Sequence, residues 1–240
     1  MHPAVKRTHE LLLLLCMLGL QACAQQPAAK EPSLLAPNAI DGIALLPPPP
    51  APGTHEDAID VAAVKQAQLT RTPEEETAAR AEVELFIDDF QPAIGPWFVE
   101  SRLPKTWAFF RQVMRESKDI TARPKDFWKR PRPYVSDPSI KPFKPEQSYA
   151  YPSGHSAGGT EYAILLAELI PERKAEILRT GRGIGWHRVV AGVHHPSDVL
   201  AGRVLGQRVA QELLASPAVQ QKLAELRAEI AAARTQATSP

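Results

Sequence analysis

Apolar side chains recur at helical spacing over most of the chain beyond residue 55. Glu56 to Leu69 carries Ile59, Ala62, Val64 and Ala67. Thr72 and Pro73 provide an N-cap and a first helical position for a second segment, Glu74 to Phe86, with acids in its first turn. Leu103 to Ser117 carries Trp107, Phe110, Val113 and Met114. Helical patterns resume over 155–169, 172–190 and 196–215. Ser216-Pro217 opens a last helix with Val219, Leu223, Leu226 and Ile230 on one face. That helix reads as a packing or partner helix, since its polar face mixes both charge signs and so fits a membrane surface poorly. No segment alternates with the period of a strand and no internal repeat is present. The pattern predicts an all-α protein.

Between these helices lies a stretch without periodicity, Ala122 to Tyr151, dense in proline and basic residues. An irregular segment of that length inside a domain is usually functional or disordered. Arg123, Lys129 and Arg130 within it read as solvated loop charges, and Trp128 and Tyr134 as packing groups.

The N-terminus follows a different pattern. Lys6 and Arg7 precede the apolar run LLLLLCMLGL, Leu11 to Leu20, and small residues follow. This is the layout of a secretory signal, and about ten apolar residues are too few to span a bilayer, which takes about 20. LQAC, Leu20 to Cys23, resembles a bacterial lipoprotein box with Cys23 as the lipidated residue, and this is the preferred reading. Ala22-Cys23-Ala24 also satisfies the small-x-small rule of ordinary signal peptidase, so soluble periplasmic release stays open. Residues 1–23 are therefore expected to be a leader and 24–38 a polar tether. Residues 39–236 would form the domain, anchored in the periplasm at the outer membrane by lipid alone. PPPP, Pro47 to Pro50, reads either as a stiff spacer or as a segment packed on the domain. The two cysteines, Cys16 and Cys23, both fall in the leader, so the domain has no disulfide and no thiol nucleophile.

Charge narrows the function. Lys and Arg total 28, Asp and Glu 27, for a net charge of +1, and no basic stripe marks a nucleic-acid partner. Cations and histidines instead concentrate in three segments: KDFWKRPRP with Lys125 and Arg132, PSGH from Pro152 to His155, and HRVVAGVHHPSD with Arg188, His194 and Asp198. A phosphoryl group needs cations around its oxygens, and backbone N–H groups at a helix start favour the same anion. Gly154 lets such a backbone approach closely. Hydrolysis needs a nucleophile and a proton donor, which two histidines can supply. Pro196 fits the first turn of a helix, which places Asp198 near His194, where a carboxylate can fix the imidazole tautomer.

Taken together, the segments resemble the signature K-x6-RP, PSGH, SR-x5-H-x3-D. Bacterial class A non-specific acid phosphatases, type 2 phosphatidic acid phosphatases and vanadium haloperoxidases share it. Arg132-Pro133 lies seven residues after Lys125, His194 six after Arg188 and Asp198 four after His194. The resemblance covers roughly residues 40–215, and the PPPP segment resembles the start of soluble members. It implies a compact helical bundle and a secreted acid phosphatase acting on phosphomonoesters without a cofactor. It also implies roles. His194 forms a phosphohistidine, Asp198 orients it and His155 protonates the leaving group. Lys125, Arg132 and Arg188 hold the phosphate, with Ser153 and the Gly154 amide. The signature has Ser where this chain has His187, and His195 reads as a neighbour without a chemical role.

Two further activities fit the same scaffold, namely hydrolysis of lipid phosphates or of pyrophosphates. A non-catalytic, phosphate-binding envelope lipoprotein is a third possibility, and the scaffold leaves room for a homo-oligomer. A metal site built from His187, His194, His195 and Asp198 is the rival chemistry. It lacks the helical His-x-x-x-His spacing of zinc sites, and no metal is expected.

Overall fold

The computed structural model describes residues 32–238, so the leader, Cys23 and most of the expected tether lie outside the described residues. Besides a 3₁₀ turn at Ile87–Phe90 and another at Pro171–Arg173, the described residues form ten α-helices. These are α1 (Gly42–Leu45), α2 (His55–Thr70), α3 (Pro73–Ala81), α4 (Gln91–Ile94) and α5 (Pro104–Trp128), then α6 (Pro133–Ser136), α7 (Gly154–Leu169), α8 (Lys174–Val190), α9 (Pro196–Ala215) and α10 (Pro217–Thr238). No strand occurs among the described residues, and the protein is an all-α bundle. No helix among them is long and apolar enough to cross a membrane.

Helix α7 is the centre. It is buried on nearly every side, from Ser156 to Leu169, and packs against both α8 and α9. A helix apolar all round belongs in a core. The approach of α9 is close enough to require small residues. A Cβ at Gly206 would stand 2.2 Å from the Ala157 carbonyl oxygen, and one at Gly202 2.4 Å from that of Ser153. This contact brings the N-termini of α7 and α9 together, and the Ser153 amide donates to the Asp198 carbonyl at 2.9 Å.

Helix α5 corrects the sequence reading. Periodicity predicts an end near Ser117, yet the helix runs on through Pro124 to Trp128 and stops at Lys129, which is left-handed at φ 50°. Pro124 is buried against α1, where a Cβ on Gly42 would come within 2.9 Å of its ring, and this packing offsets the lost backbone bond. Lys125 consequently sits on a helical turn and not in an irregular loop. At the other end, the first turn of α5 has no side-chain cap of its own. Glu229 of α10 supplies one, accepting from the amides of Lys105 and Thr106 at 2.9 Å each. The apolar face of α10, including Val219, Leu223, Leu226 and Ile230, is buried in the core, so the last helix packs.

Helix α3 ends at Ala81, five residues before the expected Phe86. The carbonyls of Glu82 and Val83 bond to Arg188 and His155 instead of continuing the helix. The expected tether is also shorter. Glu116 of α5 accepts from the Ser33 hydroxyl and from the amides of Leu34 and Leu35, and both leucines pack on the core. PPPP lies on the domain surface, with the Pro47 carbonyl taking the Tyr151 hydroxyl at 2.6 Å.

Candidate active site

The last turn of α5, the start of α7, the end of α8 and the start of α9 converge, and they carry the residues singled out in the sequence. Lys125 Nζ donates to the Tyr149 carbonyl at 2.6 Å. Burial, helped by the nearby Arg132, pushes its ammonium down to about 7. Arg132 caps α6 and is 4% exposed. It spans two loops, donating through Nε to the Ser148 carbonyl and through Nη1 to the Val193 carbonyl, both at 2.8 Å.

Arg132 Nη1 also lies 2.8 Å from His194 Nε2. A guanidinium can only donate, so Nε2 is the acceptor and the ring proton sits on Nδ1. That nitrogen faces Asp198 Oδ2 at 3.4 Å. Burial and Arg132 hold the His194 imidazolium well below its usual range, against the pull of Asp198. The result is a neutral imidazole with its Nε2 lone pair directed at an arginine.

Asp198 is fully buried. Oδ2 also accepts from the His195 amide at 2.8 Å and from His195 Nδ1 at 3.0 Å, and Oδ1 accepts from Arg130 at 2.7 Å. Burial alone would raise its carboxyl, but the bonds from the two histidines hold it well below the usual carboxylate range. Gly192, at φ 75°, turns the chain after α8, so that the amides of Val193 and His194 both return to the Arg188 carbonyl. This turn ties the arginine of the third motif to its histidine.

Ser153 is fully buried and caps α7, its hydroxyl accepting from the Ser156 amide at 3.3 Å. At Gly154 no atom beyond its chain neighbours and its own helix backbone lies within 4 Å of where a Cβ would stand, so packing does not call for the glycine. His155 donates from Nε2 to the Val83 carbonyl at 3.1 Å, which leaves Nδ1 as its basic nitrogen. Burial, and next the charge of Arg188, push its imidazolium down to about 3. Arg188 is 3% exposed. It donates to Glu146 Oε1 at 2.5 Å and to the Glu82 carbonyl at 3.3 Å, and its buried Nε has no partner among the described residues.

Over 204 residues the chain is 31% identical to a non-specific acid phosphatase of Providencia stuartii, covering 81% of this chain and 82% of that one. The chain belongs to the non-specific acid phosphatases. The PAP2 superfamily model matches residues 113–221, which contain all three motifs. A non-specific acid phosphatase of Salmonella typhimurium is 33% identical over 76% of this chain and 78% of its own. An acid phosphatase of Zymomonas mobilis is 29% identical over 92% and 87%. The protein is accordingly an enzyme, an acid phosphatase.

Three groups around this candidate site escape the sequence reading. Arg130 is no solvated charge. It is 3% exposed and lies between Asp198, Asp60 at 2.8 Å and Asp57 at 3.2 Å, with Ser197 joined to the same cluster. Arg123 and Lys129 are exposed, as expected. His195 is buried and shares the carboxylate of Asp198 with His194. Glu146, in the irregular stretch, reaches both arginines of the site. The Glu146 and Asp60 contacts cross gaps of 42 and 70 residues, and no local spacing encodes them.

The remaining outliers resolve simply. His187 Nδ1 meets Glu82 Oε2 at 2.7 Å, so the ring braces the residue whose carbonyl binds Arg188. Trp128 packs edge-on against Tyr151 at 5.1 Å, and the Tyr134 hydroxyl bonds to the Glu146 backbone. No three His, Cys, Asp or Glu side chains gather into a metal-binding group among the described residues.

Proposed function

We propose that the phosphatase hydrolyses phosphate monoesters through a phosphohistidine on His194. One observation carries this reading: Arg132 holds Nε2 of His194 as the unprotonated nitrogen while Asp198 faces Nδ1. A phosphoryl group bound by Lys125, Arg132 and Arg188 then meets a lone pair and not an N–H. The Gly154 amide, at the start of α7, adds a donor where a helix favours an anion.

In the first step Nε2 bonds to phosphorus and the ester P–O bond breaks. The leaving oxygen takes a proton from His155 Nδ1, and Asp198 stabilises the positive charge on the phosphorylated ring. In the second step water attacks phosphorus and gives its proton to the same His155 nitrogen. The P–N bond breaks, phosphate leaves, and both histidines return to their starting states. His155 must be protonated for the first step, although burial opposes that in the free enzyme. A bound phosphate dianion beside it favours the imidazolium, so substrate and proton enter together.

Export through residues 1–23 and lipidation of Cys23 complete the proposal and rest on the leader pattern. Brief reaction with a radiolabelled aryl phosphate, quenched without acid, should leave label on His194. His194→Ala should lose both label and turnover by orders of magnitude while keeping its fold. Retention of most turnover in that variant would rule the mechanism out.

A further inference from the structure

Glu146 stands where an anion would stand. Its Oε1 is 2.5 Å from Arg188 Nη2, and its Oε2 is 3.9 Å from Arg132 Nη2. One carboxylate thus reaches the same two guanidiniums that the proposed mechanism gives to the phosphoryl group. A carboxylate and a phosphate offer an arginine fork similar planar pairs of oxygens, so the two compete for the same donors.

The surroundings say which partner can leave. The side chains of Arg188 and Arg132 are 3% and 4% exposed, whereas that of Glu146 is 27% exposed. The guanidiniums are fixed by further bonds, Arg132 to Ser148 and Val193 and Arg188 to the Glu82 carbonyl. The Glu146 backbone is fixed as well. Its amide donates to the Tyr134 hydroxyl at 2.9 Å, and that hydroxyl donates to its carbonyl at 3.0 Å. The mobile part is then the Glu146 side chain, which has solvent beside it and a firm pivot.

We propose that Glu146 is a built-in competitor, a carboxylate that occupies the two arginines in the free enzyme and is displaced by the phosphoryl group of the substrate. In the empty site it neutralises cations that would otherwise face each other unpaired and buried, which is costly. The same contact weakens the hold on every anion that must replace it, including the product phosphate. Glu146 therefore exchanges affinity for turnover. This inference rests on the reading of Arg132 and Arg188 as the phosphate cradle.

The test is competitive inhibition of aryl phosphate hydrolysis by inorganic phosphate and by vanadate. Glu146→Gln keeps the shape and removes the charge. It should lower the Ki of both anions by at least about tenfold, the factor carried by one charge-assisted hydrogen bond. KM should fall with Ki, and kcat should not rise. Glu146→Asp keeps the charge but retracts it by one methylene, and should lower Ki to a smaller degree. Phosphate should raise the melting temperature of Glu146→Gln more than that of the wild type, because it alone then pairs the arginines. An unchanged or higher Ki in both variants overturns the inference and makes Glu146 a structural partner of Arg188. Arg188→Ala, run alongside, separates the two failures. If it leaves Ki unchanged, the anion does not seat here, and the proposed cradle falls and takes this inference with it.

Discussion

Arg130 donates to Oδ1 of Asp198 at 2.7 Å, on the carboxylate oxygen opposite the one that faces His194. The same guanidinium reaches Asp60 on α2, so one buried cation links an N-terminal helix to the proposed catalytic pair.

From this follows a prediction for Arg130→Ala. Removing one partner leaves Asp198 and Asp60 buried without their cation, and the loss should be about 3–5 kcal/mol of folding stability. Arg130→Lys keeps the charge, but a single ammonium cannot span both carboxylates, and stability should fall by less. Urea denaturation of the three proteins measures both effects. Equal stability across them would show that the cluster is not a structural tie.

A second prediction concerns acid. His155 sits at about 3 in the free fold against 6.5 for an unperturbed histidine, and His194 is shifted in the same direction. Each ring takes up a proton on unfolding as pH falls from 6.5 towards 3, so stability should fall over that window. A bound anion favours the His155 imidazolium and should offset the loss. Melting temperatures from about pH 6.5 to about pH 4, with and without phosphate, check this for wild type and His155→Gln. The protection by phosphate should grow at low pH in the wild type relative to the variant. Parallel curves would mean that His155 does not sense the anion.

Glu161 should act with the opposite sign. It is fully buried on α7, with Oε2 bonded to Ser117 and Oε1 without a partner among the described residues, and burial raises its carboxyl to about 8. The fold therefore holds the neutral acid. Its contribution is complete below about 4.5, the unfolded value, and is lost as pH rises through 8. Glu161→Gln should remove that decline and match or exceed the wild type in stability at about pH 8. A variant less stable than the wild type there would show that the wild-type carboxyl is ionised and usefully paired.

The helices were legible because their apolar faces repeat at helical spacing, and the three motifs because their registers are local. Lys125 and Arg132 are seven residues apart, and Arg188, His194 and Asp198 fall within eleven. Where the reading failed, the deciding contact came from elsewhere in the chain. The apolar period of α5 stopped near Ser117, and nothing local showed that the helix would continue through Pro124 with α1 packed on it. KRPRP gave no sign that Arg132 would meet His194 while Arg130, two residues earlier, would meet carboxylates on α2 and α9. Glu146 lies in a segment without period, and only folding brings it to the arginines.

The clamp of Glu116 on Ser33, Leu34 and Leu35 also sets a reach. Between Cys23 and the first clamped residue stand only Ala24 to Pro32. At a maximum of about 3.3–3.6 Å per residue, the stretch from Cys23 to Ser33 spans at most about 36 Å. If Cys23 carries a lipid, the enzyme works within that distance of the bilayer and meets soluble esters at the membrane surface, not throughout the compartment.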